Sequence, residues 1–160
     1  MGRGAVVGAV NCLFVGAGAV ADQYAAALPD SRLTLTAVCD TDADRAADFA
    51  DRFDCAAFTD LDAALADSDA EIAVNLTSHA AVTRQCLDAG VHVYSEKPLA
   101  LDTDTGRELL EQAETAGLGL ACAPITPDCD AQRIAGRALA DGRLGRVGLA
   151  TAHAHVGRVT

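Results

Sequence analysis

The sequence predicts an α/β fold, a doubly wound and mostly parallel sheet covered by helices, and three observations carry that prediction. Strand-like and helix-like stretches alternate along the chain, the order that buries a parallel sheet on both faces. A short apolar run, Asn11 to Val15, ends in Gly16-Ala17-Gly18-Ala19-Val20-Ala21 and passes directly into a helix-forming stretch. A second apolar run, Leu33 to Cys39, closes on Asp40, about 20 residues beyond the glycines, the spacing of an acid that receives ribose hydroxyls. Together they predict a Rossmann-type domain that binds a dinucleotide.

In that arrangement Asn11 to Val15 is the first strand, Gly16 makes the tight turn, and Gly18 lets backbone approach a pyrophosphate. Ala21, the permitted small residue in place of a third glycine, lets helix pack on strand. The helix runs from Ala19 to Leu28 with its amino terminus toward the anion, and Ala17, Ala19 and Val20 complete the loop that faces the cofactor. Asp40 has two compatible readings, as ribose acceptor and as a cap for the helix from Asp42 to Phe53. A short third strand, Cys55 to Phe58, a helix from Leu61 to Ala66 and a fourth strand, Ile72 to Leu76, follow. The helix from Ala80 to Ala89 stops at Gly90, and Val91 to Tyr94 makes the fifth strand. Asp102 caps a long helix to Ala116, Gly117 ends it, and Leu118 to Ala123 reads as a sixth strand. No internal repeat, low-complexity tract or interdomain linker interrupts this order.

Composition narrows the class of function. A chain of 160 residues, 51% of them hydrophobic, matches one compact unit with a filled core. Its formal charge of −11 excludes nucleic acid and anionic membranes as natural partners, since their phosphates would be repelled. Most of the acids are aspartates on helical stretches such as Asp42 to Asp54 and Asp60 to Asp69, solvated faces of a kind that suits high salt. The six cysteines, Cys12, Cys39, Cys55, Cys86, Cys122 and Cys129, form no Cys-x-x-Cys pair. Cys12, Cys39 and Cys122 fall in strand-like runs as small buried hydrophobes, so a disulfide framework is not expected. Met1 to Val10 reads as an apolar, glycine-rich extension without a signal-peptide core, no run reaches membrane-spanning length, and the expected compartment is the cytoplasm.

Of twelve lysine and arginine residues, Lys97 is the only lysine, and it stands in Tyr94-Ser95-Glu96-Lys97-Pro98 at the end of the fifth strand. Lysine is a compact donor where arginine is a charged fork, so the choice points to a position where arginine would not serve. With these residues the chain resembles the amino-terminal half of the Gfo/Idh/MocA oxidoreductases, the group of glucose-fructose oxidoreductase and inositol dehydrogenase. The resemblance runs from Asn11 onward through Gly16 to Ala21, Ala37-Val38-Cys39-Asp40, Arg45-Ala46, Phe49-Ala50, Cys86 to Val93 and Glu96-Lys97-Pro98-Leu99-Ala100, and more weakly through Asp141 to Val147. It implies that Lys97 is the catalytic group, directed at the nicotinamide and the substrate hydroxyl to assist proton movement as hydride leaves carbon. It also implies that Glu96 orients the loop and contacts the cofactor, and that Pro98 stiffens the turn. The bland reading of Glu96 and Lys97 is an exposed ion pair of little energetic worth. The implied cofactor is NAD, in preference to NADP because Asp40 and Asp42 would repel a 2′-phosphate. The implied substrate is a small hydroxylated molecule, a polyol or sugar.

Two departures from the family pattern bear on catalysis. The loop after the fourth strand reads Asn75-Leu76-Thr77-Ser78-His79, without the family's Thr-Pro and shortened. Thr77, Ser78 and His79 remain candidates for cofactor contact, with His79 either starting the next helix or facing the nicotinamide. The family also carries a second, α+β domain, and this chain is expected to lack most of it. The expected division is an extension over 1–10, the nucleotide domain over 11–124, and over 125–160 a connecting helix with the first strand of the second domain. His153 and His155 would share one strand face, but no third ligand stands at a recognisable spacing, so no metal site is expected. The alternative to an enzyme is a dinucleotide-binding module without activity of its own, needing a homo-oligomer or a partner to supply the second domain.

Overall fold

The computed structural model describes residues 8–77, 79–123 and 130–151. The expectations placed on Ser78, on Cys129, on the His153 and His155 pair and on a strand toward Thr160 lie outside them. The chain divides into two units, Met1–Pro124 and Ile125–Thr160.

The first unit alternates strand and helix throughout: β1 (Val10–Val15), α1 (Ala19–Ala27), β2 (Leu33–Cys39), α2 (Ala43–Phe53), β3 (Ala56–Phe58), α3 (Leu61–Asp67), β4 (Ile72–Asn75), α4 (Ala80–Asp88), β5 (His92–Ser95), α5 (Thr103–Ala116) and β6 (Leu120–Cys122). All five pairings are parallel, and the sheet order is β3-β2-β1-β4-β5-β6. The chain winds outward from β1 to β3, then crosses back to lay β4 on the other side of β1. Ligands of open parallel sheets bind where that reversal leaves a crevice at the carboxyl ends of the strands. Val15 pairs with Cys39 on one side and Asn75 on the other, which fixes the crevice between the ends of β1 and β4.

Two apolar layers hold the sheet, and β1 serves both because its side chains alternate. Cys12 and Phe14 point into one layer with Ala21 and Ala25 of α1, Phe49 and Ala50 of α2, Val38 and Val74. Leu13 and Val15 point into the other with Ala64 of α3, Cys86 and Leu87 of α4, and Leu109 and Ala113 of α5. The described cysteines are free thiols, and burial pushes those of Cys12 and Cys86 up to about 12, which keeps them neutral packing groups. Cys122 is only half-buried, because β6 is an edge strand, where the sequence suggested a buried position.

Three strands begin later than their apolar runs suggest, for one reason. The N–H groups of Cys55, Val91 and Leu118 turn back to the carbonyls of Ala50, Cys86 and Ala113, closing the ends of α2, α4 and α5. This closure needs a left-handed residue just before it, and Asp54, Gly90 and Gly117 supply it with φ of 53°, 79° and 69°. The first apolar residue after each turn therefore belongs to the helix end. Likewise α1 stops at Ala27, and Leu28–Asp30 form a 3-10 turn around Pro29. In the second unit, α6 spans Asp130–Ala140.

Candidate functional site

The glycine turn leaves β1 with Gly16 at φ of 101°, a conformation that disfavours a side chain. A Cβ there would also stand 3.2 Å from Cγ2 of Thr77, so the two strand ends approach closely only because the residue is glycine. Gly18 differs: its φ is −76° and a Cβ would meet nothing within 4 Å, so space is kept there in front of the helix rather than for protein packing. Ala19 and Val20 are exposed in the first turn of α1, while Ala21 is fully buried in the Phe14 layer.

Gly18 is the amino-terminal cap of α1 and makes no side-chain cap bond, and His79 stands in the same position on α4 without capping it. The caps of α2, α3 and α5 are Asp42, Asp60 and Asp102, each accepting a backbone N–H. Of the helices that start at this end of the sheet, α1 and α4 lack the carboxylate cap that α2, α3 and α5 carry. An uncapped helix start presents N–H groups and partial positive charge, the donor set that suits a pyrophosphate. The residues present fit a dinucleotide.

Asp40 closes β2 almost fully buried, 8% exposed, and its oxygens are committed within the protein. Oδ2 accepts the Ala17 N–H at 2.8 Å, Oδ1 accepts the Asp42 N–H at 2.9 Å, and Arg45 Nη1 stands 3.3 Å from both. Burial works to raise this carboxyl, but the two N–H groups and the guanidinium together outweigh it and hold it below the usual range. The helix cap is Asp42, whose Oδ1 accepts the Arg45 N–H, so of the two readings of Asp40 the capping one passes to its neighbour. Arg45 also reaches Asp42 Oδ2 at 3.1 Å and is half exposed.

The β4 end is organised by Asn75, which is 0% exposed and went unnoticed in the sequence. Its Oδ1 accepts the Thr77 hydroxyl at 2.6 Å and the Thr77 N–H at 3.0 Å, while Nδ2 donates to the Thr83 hydroxyl and the His79 carbonyl. A polar amide closing a buried apolar strand is the signal that marks it, since such a group persists in a core only when its partners are in place. Gly16, Asp40, Arg45, Thr77 and His79 line a single cavity of about 420 Å³ beside the glycine turn. The structure therefore gathers residues from β1, β2 and β4 and from the starts of α2 and α4 around one space.

Glu96, Lys97 and Pro98 lie apart from that cavity, beyond the end of β5, with a cis bond between Lys97 and Pro98. The Glu96 N–H donates to the Asn75 carbonyl at 2.7 Å, which ties this turn to the β4 end. Its carboxylate receives the Tyr24 hydroxyl of α1 at 2.6 Å on Oε1 and the Lys97 N–H at 3.0 Å on Oε2. The Tyr24 bond is the main cause that holds the Glu96 carboxyl below its ordinary value. Lys97 itself is exposed.

The family model described as "Oxidoreductase family, NAD-binding Rossmann fold" (GFO_IDH_MocA) matches residues 10–123. A curated relative, UDP-N-acetylglucosamine 3-dehydrogenase of Acidithiobacillus ferrooxidans, is 42% identical over 92 residues, which span 57% of this chain and 29% of that protein. The WlbA dehydrogenase of Chromobacterium violaceum, solved with NADH and UDP-GlcNAcA, is similar at a TM-score of 0.79 and 27% identity over 88% of this chain and 42% of that one. GenD2 of gentamicin A biosynthesis, solved with NAD, is similar at 0.77 and 31% identity over 89% and 42%. The chain thus spans less than half the length of these relatives. Among the described residues, no helix is long and apolar enough to cross a membrane. The glycine turn, the acid closing β2 and the parallel sheet agree with the family match, and the chain belongs to the Gfo/Idh/MocA oxidoreductases, with their NAD-binding Rossmann domain over residues 10–123.

Proposed function

We propose that this chain is the nucleotide-binding half of an NAD-dependent dehydrogenase acting on a hydroxylated substrate, a sugar, a cyclitol or, as in its relatives, a sugar nucleotide. The carrying observation is the pair of uncapped helix starts, Gly18 and His79, at the crevice between β1 and β4. The α1 start receives the pyrophosphate, with Gly18 giving close approach, and the cavity beside Asp40 receives the adenosine side. NAD, when bound, accepts or returns the hydride of the carbinol carbon. Lys97 holds the substrate hydroxyl and moves its proton, and Glu96 sets the turn from which the lysine extends. Asp40, with Asp42 beside it, favours NAD over NADP. The free thiols of the described cysteines suit a reducing cytoplasm.

A second reading, a binding module without turnover of its own, draws on the exposure of Lys97 and on the cavity ending short of it. Chemistry needs water excluded and substrate positioned, and Lys97 stands exposed to solvent. Titration with NADH and NADPH, followed by a turnover screen of polyols, aldoses and UDP-sugars, tests both readings. NADH is expected to bind, Gly18→Val to abolish binding while the fold persists, and Lys97→Ala to leave NADH affinity within a few fold while abolishing turnover by the chain alone or with a supplied second domain. Wild-type affinity in Gly18→Val would move the cofactor site elsewhere, and turnover indifferent to Lys97→Ala would remove the lysine from the chemistry.

A further inference from the structure

The residue that fixes the Lys97 turn comes from a helix at the other end of the motif. Tyr24 lies on α1, the helix whose start faces the crevice, and its hydroxyl crosses to Glu96 Oε1 at 2.6 Å over a sequence separation of 72 residues. The other carboxylate oxygen, Oε2, takes the backbone N–H of Lys97. The Glu96 backbone is held separately, by its N–H on the Asn75 carbonyl. The one partner of the carboxylate that comes from outside its own turn among these bonds is the phenol. That phenol cannot swing freely, because its ring packs edge-on against Phe14 at 6.5 Å and tilted against Tyr94 at 5.9 Å, two residues before Glu96.

We propose that Tyr24 is a positioning residue for Lys97, a strut that locks the Glu96 carboxylate and makes the helix receiving the pyrophosphate and the turn carrying the lysine one mechanical piece. This rests on the reading of Lys97 as the group that meets substrate. A short bond from hydroxyl to carboxylate is the kind that fixes geometry, since charge assistance makes it stronger and more directional than a neutral pair. The same bond lowers the Glu96 carboxyl, so it stays an ionised acceptor for both donors. An ornamental contact would lead nowhere; this one ends on the amide of the chain's only lysine.

That lysine is also a built-in reporter. Reductive methylation with 13C-formaldehyde keeps its charge and yields one side-chain signal beside that of the amino terminus. In the wild-type chain the Lys97 signal should stand apart from that of the unfolded protein and move when NADH is added. In Tyr24→Phe, which keeps the ring packing, circular dichroism and NADH affinity should stay within about 3-fold of wild type, a change of ~0.7 kcal/mol or less. The cofactor-free Lys97 signal should shift toward its unfolded position, and its response to NADH should fall by about half or more. Adding Glu96→Ala to Tyr24→Phe should change the signal by less than the sum of the single effects, as for groups acting through one contact. A folded Tyr24→Phe with the wild-type Lys97 signal and response would overturn the strut, and so would additive effects. Should Tyr24→Phe fail to fold, amide hydrogen exchange in the wild type decides: protection of the Lys97 N–H supports the strut and exchange at the solvent rate overturns it. Failure of the wild type to bind NADH would sink the cofactor reading, and the cofactor-free signal would still judge Tyr24.

Discussion

Asp40 carries more of the site than its motif position implies. Its two oxygens bind the glycine turn through Ala17 and the start of α2 through the Asp42 N–H and the Arg45 guanidinium, so one carboxylate ties the end of β2 to both. Because its folded pKa lies below the ordinary value, this group adds stability that is fully present above the unfolded pKa, about 3.9 for an aspartate, and is lost as pH falls through the folded value. Asp40→Asn should destabilise the chain by about 1.5–3 kcal/mol near neutrality, the worth of hydrogen bonds to a buried charge, and the gap from wild type should narrow on acidification. Urea unfolding at pH 7 and at about pH 3, below the unfolded value, measures both; a gap independent of pH would remove the ionised carboxylate from the account. For cofactor choice, Asp40→Ser should shift preference toward NADPH, because it removes the repulsion of a 2′-phosphate and releases Arg45 to meet it. Unchanged relative affinity for NADH and NADPH would argue that another group discriminates.

In the connection from β4 to α4, the Asn75 amide gathers Thr77, Thr83 and the His79 carbonyl. Asn75→Leu keeps the approximate volume but strands the Thr77 and Thr83 hydroxyls and the Thr77 N–H, so a loss of about 2–4 kcal/mol is expected, with weaker NADH binding because Thr77 and His79 line the cavity. Urea midpoints near wild type would show that the loop is held otherwise. How far such elements were legible follows from the range of the interactions that build them. The glycine turn, the strand ending in Asp40 and the Asp102 cap depend on residues a few positions apart, and the sequence displays them. The late starts of β3, β5 and β6 depend on local helix closures, and Asp54 taking a role usually given to glycine is what conceals the first of them. Tyr24 was illegible because its partner is remote in sequence and a tyrosine on an alanine-rich helix reads as packing. Asn75 was legible in principle, as a polar group where the pattern calls for an apolar one.

At the scale of the whole molecule, the charge of −11 is spread over solvated helix faces, and mutual repulsion works against the compact state. Raising sodium chloride from 0.1 M to 1 M shortens the screening length from about 10 Å to about 3 Å, so the thermal midpoint should rise by several degrees. A midpoint that is flat or falls with salt would mean that attractive ion pairs, such as Arg52 with Asp22 and Arg84 with Glu108, outweigh the repulsion. The sheet order has a consequence for synthesis. A ribosome delivers β1, β2 and β3 first, and these can pair among themselves, while the other edge of β1 waits for β4 to emerge. Until then the strand that carries Leu13, Phe14 and Val15 has one side of its backbone unpaired and half its apolar side chains uncovered. A nascent chain stalled after β3 is therefore the form most in need of a chaperone, because it offers a free edge to any neighbouring strand.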